Sequence, residues 1–154
     1  MRKYKARLAM GLAAAGTATA ITFATWPANA LEPQAAATEG KFRLVPISLN
    51  CIATEDFVGG DEIFMQFNEL TVFGVQSISR QQTLSLTGDP RLANLRFSQR
   101  AQISLLDADT GIFDDDDFLG AVDVDASMAD GAERTDVFNG DGATYFFRFK
   151  VVAE

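Results

Sequence analysis

From Lys41 onward, apolar and polar residues change places with a period of two. The alternation is clearest at Gln82-Thr83-Leu84-Ser85-Leu86, Gln102-Ile103-Ser104-Leu105, Ala121-Val122-Asp123-Val124-Asp125, and at Tyr145, Phe147, Phe149 and Val151. Such spacing turns one face of an extended strand toward a core and the other toward solvent, and no helical stripe of comparable length competes with it. Short apolar runs at 42–52, 62–67, 70–75, 83–87, 101–106, 118–124 and 144–152 are separated by Gly, Asp and Asn clusters, with no strand–helix–strand alternation. Seven or eight short strands punctuated by turns predict an all-β fold, an antiparallel eight-stranded β-sandwich, with a β-barrel as the alternative.

The N-terminus follows a different logic. Arg2, Lys3, Lys5 and Arg7 precede an apolar run from Leu8 to Trp26, and Ala28-Asn29-Ala30 closes it in a small-x-small pattern. Basic, apolar and small-residue regions in that order predict a cleavable secretory signal peptide over residues 1–30, and hence a secreted, extracellular protein. The run is rich in Ala, Gly and Thr, which makes it weakly hydrophobic for a permanent membrane span. No cysteine follows it closely, so a lipid-anchored form has no support. Residues 31–40, with Pro33 and Ala35-Ala36-Ala37, read as a flexible leader, and 41–154 as one domain. N-terminal sequencing of the exported form is expected to start within a few residues of Leu31; a mature form retaining Trp26 contradicts the assignment.

Export also changes the charge. The chain carries 13 basic and 21 acidic residues; four of the basic ones and none of the acidic ones precede residue 31, so nine face 21 in the exported part, a net charge of −12. Phosphate backbones and anionic lipids repel such a surface unless cations bridge the two, which argues against a nucleic-acid partner. Histidine is absent. Its absence removes Ser/His and Cys/His nucleophilic catalysis together with the usual zinc ligands. Cys51 is the only cysteine, so no internal disulfide braces the fold. In the apolar stretch Leu49-Asn50-Cys51-Ile52 it reads as a buried thiol, with an intermolecular disulfide or a nucleophile as the alternatives.

Two loops between apolar runs concentrate carboxylates: Glu55-Asp56-Phe57-Val58-Gly59-Gly60-Asp61-Glu62, and Asp107-Ala108-Asp109-Thr110-Gly111-Ile112-Phe113-Asp114-Asp115-Asp116-Asp117. Asp107 closes a strand and Asp109 points the same way two residues on, while Asp114 to Asp117 return across the loop. Oxygen-only donors, several ionised, select a hard cation, and outside the cell that cation is calcium. The bland alternative is a solvated acidic turn. An EF-hand does not fit: counted from Asp107, the glycine falls at the fifth position and Phe118 stands in place of the bidentate Glu.

Asp56-Phe57-Val58-Gly59-Gly60-Asp61-Glu62-Ile63-Phe64, and Leu106-Asp107-Ala108-Asp109 followed by Asp116-Asp117-Phe118-Leu119-Gly120, resemble the first and third loops of C2 domains. The resemblance implies a C2-like sandwich that holds calcium between loops at one end. It implies as ligands Asp56, Asp61, Asp107, Asp109 and Asp117. This sequence departs from the family pattern in three ways: Glu62-Ile63-Phe64 replaces the usual Pro-Tyr, the third loop is longer, and a lysine-rich lipid-reading strand has no counterpart. Phe57, Val58, Ile112 and Phe113 lie in the same loops, where such residues either pack between loops or enter a membrane. Asn139-Gly140-Asp141-Gly142 reads as a tight turn before the last strand, without a function of its own.

The functional expectation is a secreted calcium-binding β-sandwich module, not an enzyme, that mediates calcium-dependent binding to a membrane surface, lipid or protein partner. One alternative makes calcium purely structural in an interaction or inhibitor module. The other is a carboxylate-dependent hydrolase using Asp107/Asp109 or Asp115/Asp117. Against it stand the small size, the missing histidine, and a carboxylate cluster too dense to single out one acid and one base.

Overall fold

In the computed structural model, which describes residues 40–55, 59–108 and 116–154, the period-two runs become strands that bury every second side chain. Strand β9 (Thr144–Ala153) buries Tyr145, Phe147, Phe149 and Val151 and leaves Phe146 exposed between them. Strand β6 (Arg100–Asp107) buries Ala101, Ile103 and Leu105, and then Asp107 in the same inward register. Strand β2 (Asp61–Phe67) begins the same way, with Asp61 leading the inward row Ile63, Met65 and Phe67. Two inward rows therefore terminate in a carboxylate.

The remaining strands among the described residues are β1 (Phe42–Ala53), β3 (Leu70–Ile78), β4 (Thr83–Ser85), β5 (Arg96–Phe97), β7 (Asp117–Asp125) and β8 (Arg134–Phe138). All pairs are antiparallel, and they form two sheets. One runs β4-β1-β9-β8 with β5 added to β1, and the other runs β3-β2-β6-β7. Two sheets face to face make the expected sandwich; the barrel alternative, a single sheet closed on itself, is not what forms. Nine strands among the described residues replace the eight anticipated, because the two-residue β5 and the edge strand β8 lie outside the apolar runs. The segment 1–30 expected to be a signal peptide, and residues 31–39 of the expected leader, fall outside the described residues.

The inner faces meet in a phenylalanine-rich core. The Phe147 ring lies 5.4 Å from that of Phe138 and 5.1 Å from that of Phe149, centroid to centroid. Cys51 is a free, fully buried thiol in this core, as its apolar neighbours led one to expect, and burial pushes its pKa up, which makes it inert.

Two irregularities shape one end of the sandwich. Leu105 pairs with Gly120 but Leu106 pairs with Phe118, so Leu119 is an extra residue in β7. This bulge moves the inward parity from Val122 and Val124 to Leu119 and Asp117, and sets Asp117 directly across from Asp107. The second irregularity is the β8–β9 turn Gly140-Asp141-Gly142-Ala143, closed by the Ala143 N–H donating to the Gly140 carbonyl at 2.9 Å. Asp141 and Gly142 take φ of 45° and 83°, the double left-handed pair of a type I′ hairpin. A Cβ on Gly140 would lie 2.6 Å from the Phe118 carbonyl oxygen, so the turn rests on the start of β7 and brings the two sheets together there.

Candidate metal centre

Asp61 is fully buried, and its desolvation is offset by two donors to one oxygen. Oδ2 accepts from the Tyr145 hydroxyl at 2.5 Å and from the Glu55 N–H at 3.2 Å. Asp107 is only 2% exposed, and its Oδ1 has no hydrogen-bond partner among the described residues. Leaving a buried acceptor unmatched costs roughly 1–3 kcal/mol, more when it is charged. Burial first and the neighbouring Asp61 charge second push the Asp107 pKa up to about 6, although the Glu62 N–H donates to it and pulls the other way. A carboxylate oxygen with this much uncompensated negative charge calls for a cation.

Above this pair sits a rim. One carboxylate oxygen each from Glu55, Asp117 and Asp141 lies within 4.8 Å of the other two. Calcium holds oxygens at about 2.3–2.6 Å, so ligands on opposite sides of one ion are about 5 Å apart and this triangle has the right size. The three come from different elements: Glu55 follows β1, Asp117 opens β7, and Asp141 tips the β8–β9 hairpin. Glu55 and Asp141 belong to one sheet and Asp117 to the other, so an ion between them would tie the sheets together.

Of the residues singled out in the sequence, the fold gathers Asp61, Asp107 and Asp117 at one end of the adjacent strands β2, β6 and β7, where Ile63 pairs with Asp107 and Asp107 with Asp117. Asp56 and Asp109, and with them Phe57, Val58, Ile112 and Phe113, lie outside the described residues. Glu55 and Asp141 are the additions. Glu55 stood in the acidic run but carried no role, and Asp141 looked like turn chemistry alone. The Asp-Gly pair did mark a hairpin, but its end of the sandwich is fixed only once β8 is known. At the opposite end, Asp123 is exposed and accepts from Gln102 Nε2 at 3.0 Å. Asp125 is not a free surface charge there: it caps the short turn Ala126–Met128 by accepting from the Ser127 N–H.

The donor set is therefore oxygen alone, partly buried and partly at the rim, which suits a hard divalent ion in irregular coordination better than the strict octahedron of magnesium. The hydrolase alternative asks for a carboxyl with a raised pKa, and Asp107 has one. Yet Asp107 is sealed from solvent, and its shift arises from the same burial and repulsion that a bound cation would relieve.

No family model matches the sequence, and no curated protein matches it. Similar solved structures include a C2 domain at TM-score 0.41 and 14% identity, covering 73% of this chain and 97% of that one. A human GIVD cytosolic phospholipase A2 matches at TM-score 0.40 and 12% identity over 73% of this chain but 17% of its own length. The paired C2 domains of extended synaptotagmin 2 match at TM-score 0.41 and 15% identity over 96% of this chain and 49% of theirs. The chain thus spans less than a fifth of the phospholipase and about half of the two-domain protein. Likeness at this level transfers no residue roles to this chain.

Proposed function

We propose that this domain is an exported calcium-binding module that holds the ion at one end of its sandwich and uses it to bind a partner its own charge would repel. The observation that carries the reading is Asp107: an inward-facing carboxyl, 2% exposed, with an orphaned oxygen and a neighbouring Asp61, at the end of the sandwich where Glu55, Asp117 and Asp141 converge. Asp61 and Asp107 supply inner ligands and the rim trio outer ones, with Asp56 and Asp109 completing the set implied by the loop motifs. Calcium would convert a surface of strongly negative charge into one able to bridge to an anionic lipid headgroup or an acidic protein.

Calorimetric titration of the chain with calcium chloride tests this. Saturable binding is expected with Kd on the order of 10⁻⁴ to 10⁻³ M, the range of extracellular calcium modules. The melting temperature should rise with calcium, because the ion binds the folded state in preference to the unfolded one. Asp123→Asn, at the opposite end, should leave both effects intact. If neither heat nor a melting shift appears up to about 10 mM calcium, ten times the weaker limit, the acidic end is only a charged surface.

A further inference from the structure

We infer that Tyr145 is a positioning residue for this centre: its hydroxyl holds the Asp61 carboxylate in the orientation that meets the cation, so calcium affinity depends on a hydrogen bond reaching up from the core. The inference rests on the calcium-binding reading above.

Tyr145 is the only tyrosine beyond residue 30, and it stands in an inward row otherwise made of Phe147, Phe149 and Val151. Packing alone would be served by another phenylalanine. A fully buried hydroxyl is retained only where it finds a partner, and this one finds Asp61, 84 residues away on the opposite sheet. The donation at 2.5 Å links the two sheets directly at the acidic end: Tyr145 pairs with Cys51 on one sheet, and Asp61 opens β2 on the other.

The bond also reaches the rim. The same Asp61 Oδ2 accepts from the Glu55 N–H, and the Glu55 side chain is one of the three that converge with Asp117 and Asp141. Releasing Asp61 therefore loosens an inner ligand and the backbone that places an outer one. Groups that orient a metal ligand without touching the metal change its affinity by about 10- to 100-fold when removed. Tyr145→Phe removes one oxygen and keeps the ring.

The test compares three chains by titration with calcium chloride alone: the parent, Tyr145→Phe, and Phe147→Leu as a core change without a polar contact. Tyr145→Phe is expected to raise Kd at least about 10-fold, whereas Phe147→Leu lowers the calcium-free melting temperature and leaves Kd within about two-fold. The parent should also give a calcium-induced tyrosine difference spectrum that Tyr145→Phe lacks, a measurement on the parent that needs no variant to fold. Equal affinities for the parent and Tyr145→Phe overturn the inference and leave the calcium reading standing. A matching loss in Phe147→Leu overturns it too, since affinity would then follow general stability, and so does a parent spectrum that calcium leaves unchanged. A parent that binds no calcium removes the functional reading and this inference with it.

Discussion

Asp107→Asn should make the calcium-free chain more stable at neutral pH and remove most of its response to calcium. The two effects have one source. Asp107 is buried beside Asp61 with an oxygen that no donor among the described residues meets, so its ionised form is unfavourable without a cation. Its pKa in the folded chain, about 6, lies above the ordinary value of 3.8. Because it is raised, the stabilisation it contributes is complete below pH 3.8 and is lost as pH climbs through about 6. A shift of this size corresponds to roughly 2–3 kcal/mol, or several degrees of melting temperature. Asp89, Asp125, Asp130 and Glu154 are shifted the other way by arginine and serine partners, so their contributions disappear as pH falls through lower values. Among the described residues whose shifts are resolved, the interval from about pH 5 to 7 thus reports on Asp107. In chelator, the parent should melt lower at pH 7 than at pH 5, and Asp107→Asn should flatten that slope. Added calcium should raise the parent most at pH 7 and the variant little at either pH. A variant less stable than the parent at pH 7 in chelator would mean that Asp107 is already satisfied without an ion.

The fold was legible because burial is recorded locally: in β2, β6 and β9 each inward residue sits two positions from the next, and that signal survives without knowledge of any partner strand. Strand β8 left no such record. Of its five residues only Phe138 is buried, since an edge strand over a solvated face has little apolar pattern to show. That gap propagated to the site. Asp61, Asp107 and Asp117 were legible through the resemblance of their loop motifs to those of C2 domains, each motif lying at the end of a patterned strand. Asp141 was not, because its hairpin has no assigned end without β8, and the contact that brings it to Asp117 is a glycine against the Phe118 carbonyl. The Tyr145 to Asp61 bond spans 84 residues between two sheets, and nothing near either residue announces it. Asp125 stays on the solvated side where alternation puts it, and its capping of the turn Ala126–Met128 is a further role that alternation does not show.

Phe147→Ala should cost the chain a large part of its stability. The ring is fully buried, touches Phe138 and Phe149 from two strands, and occupies the middle of the inward row of β9, which pairs with both β1 and β8. Truncating a phenylalanine in such a place costs about 3–5 kcal/mol through lost transfer energy and the cavity left behind. Domains of this size have about 5–15 kcal/mol in total, and with one cysteine no disulfide within the chain limits the damage. The variant should therefore melt well below the parent in chelator, with a detectable unfolded fraction at room temperature. Calcium then acts on the same equilibrium from the far end of the core. With Kd of 10⁻³ to 10⁻⁴ M, about 10 mM calcium stabilises the folded state by roughly 1.4–2.7 kcal/mol, enough to recover about half of the loss. Thermal melts of Phe147→Ala with chelator, with calcium and with magnesium measure both quantities at once. A melting temperature within a few degrees of the parent would show that the phenylalanine cluster is not the centre of the core. A low melting temperature that calcium fails to raise, beside a parent that it does raise, would mean that the ion site and the core fold as separate units rather than through the inward strands they share.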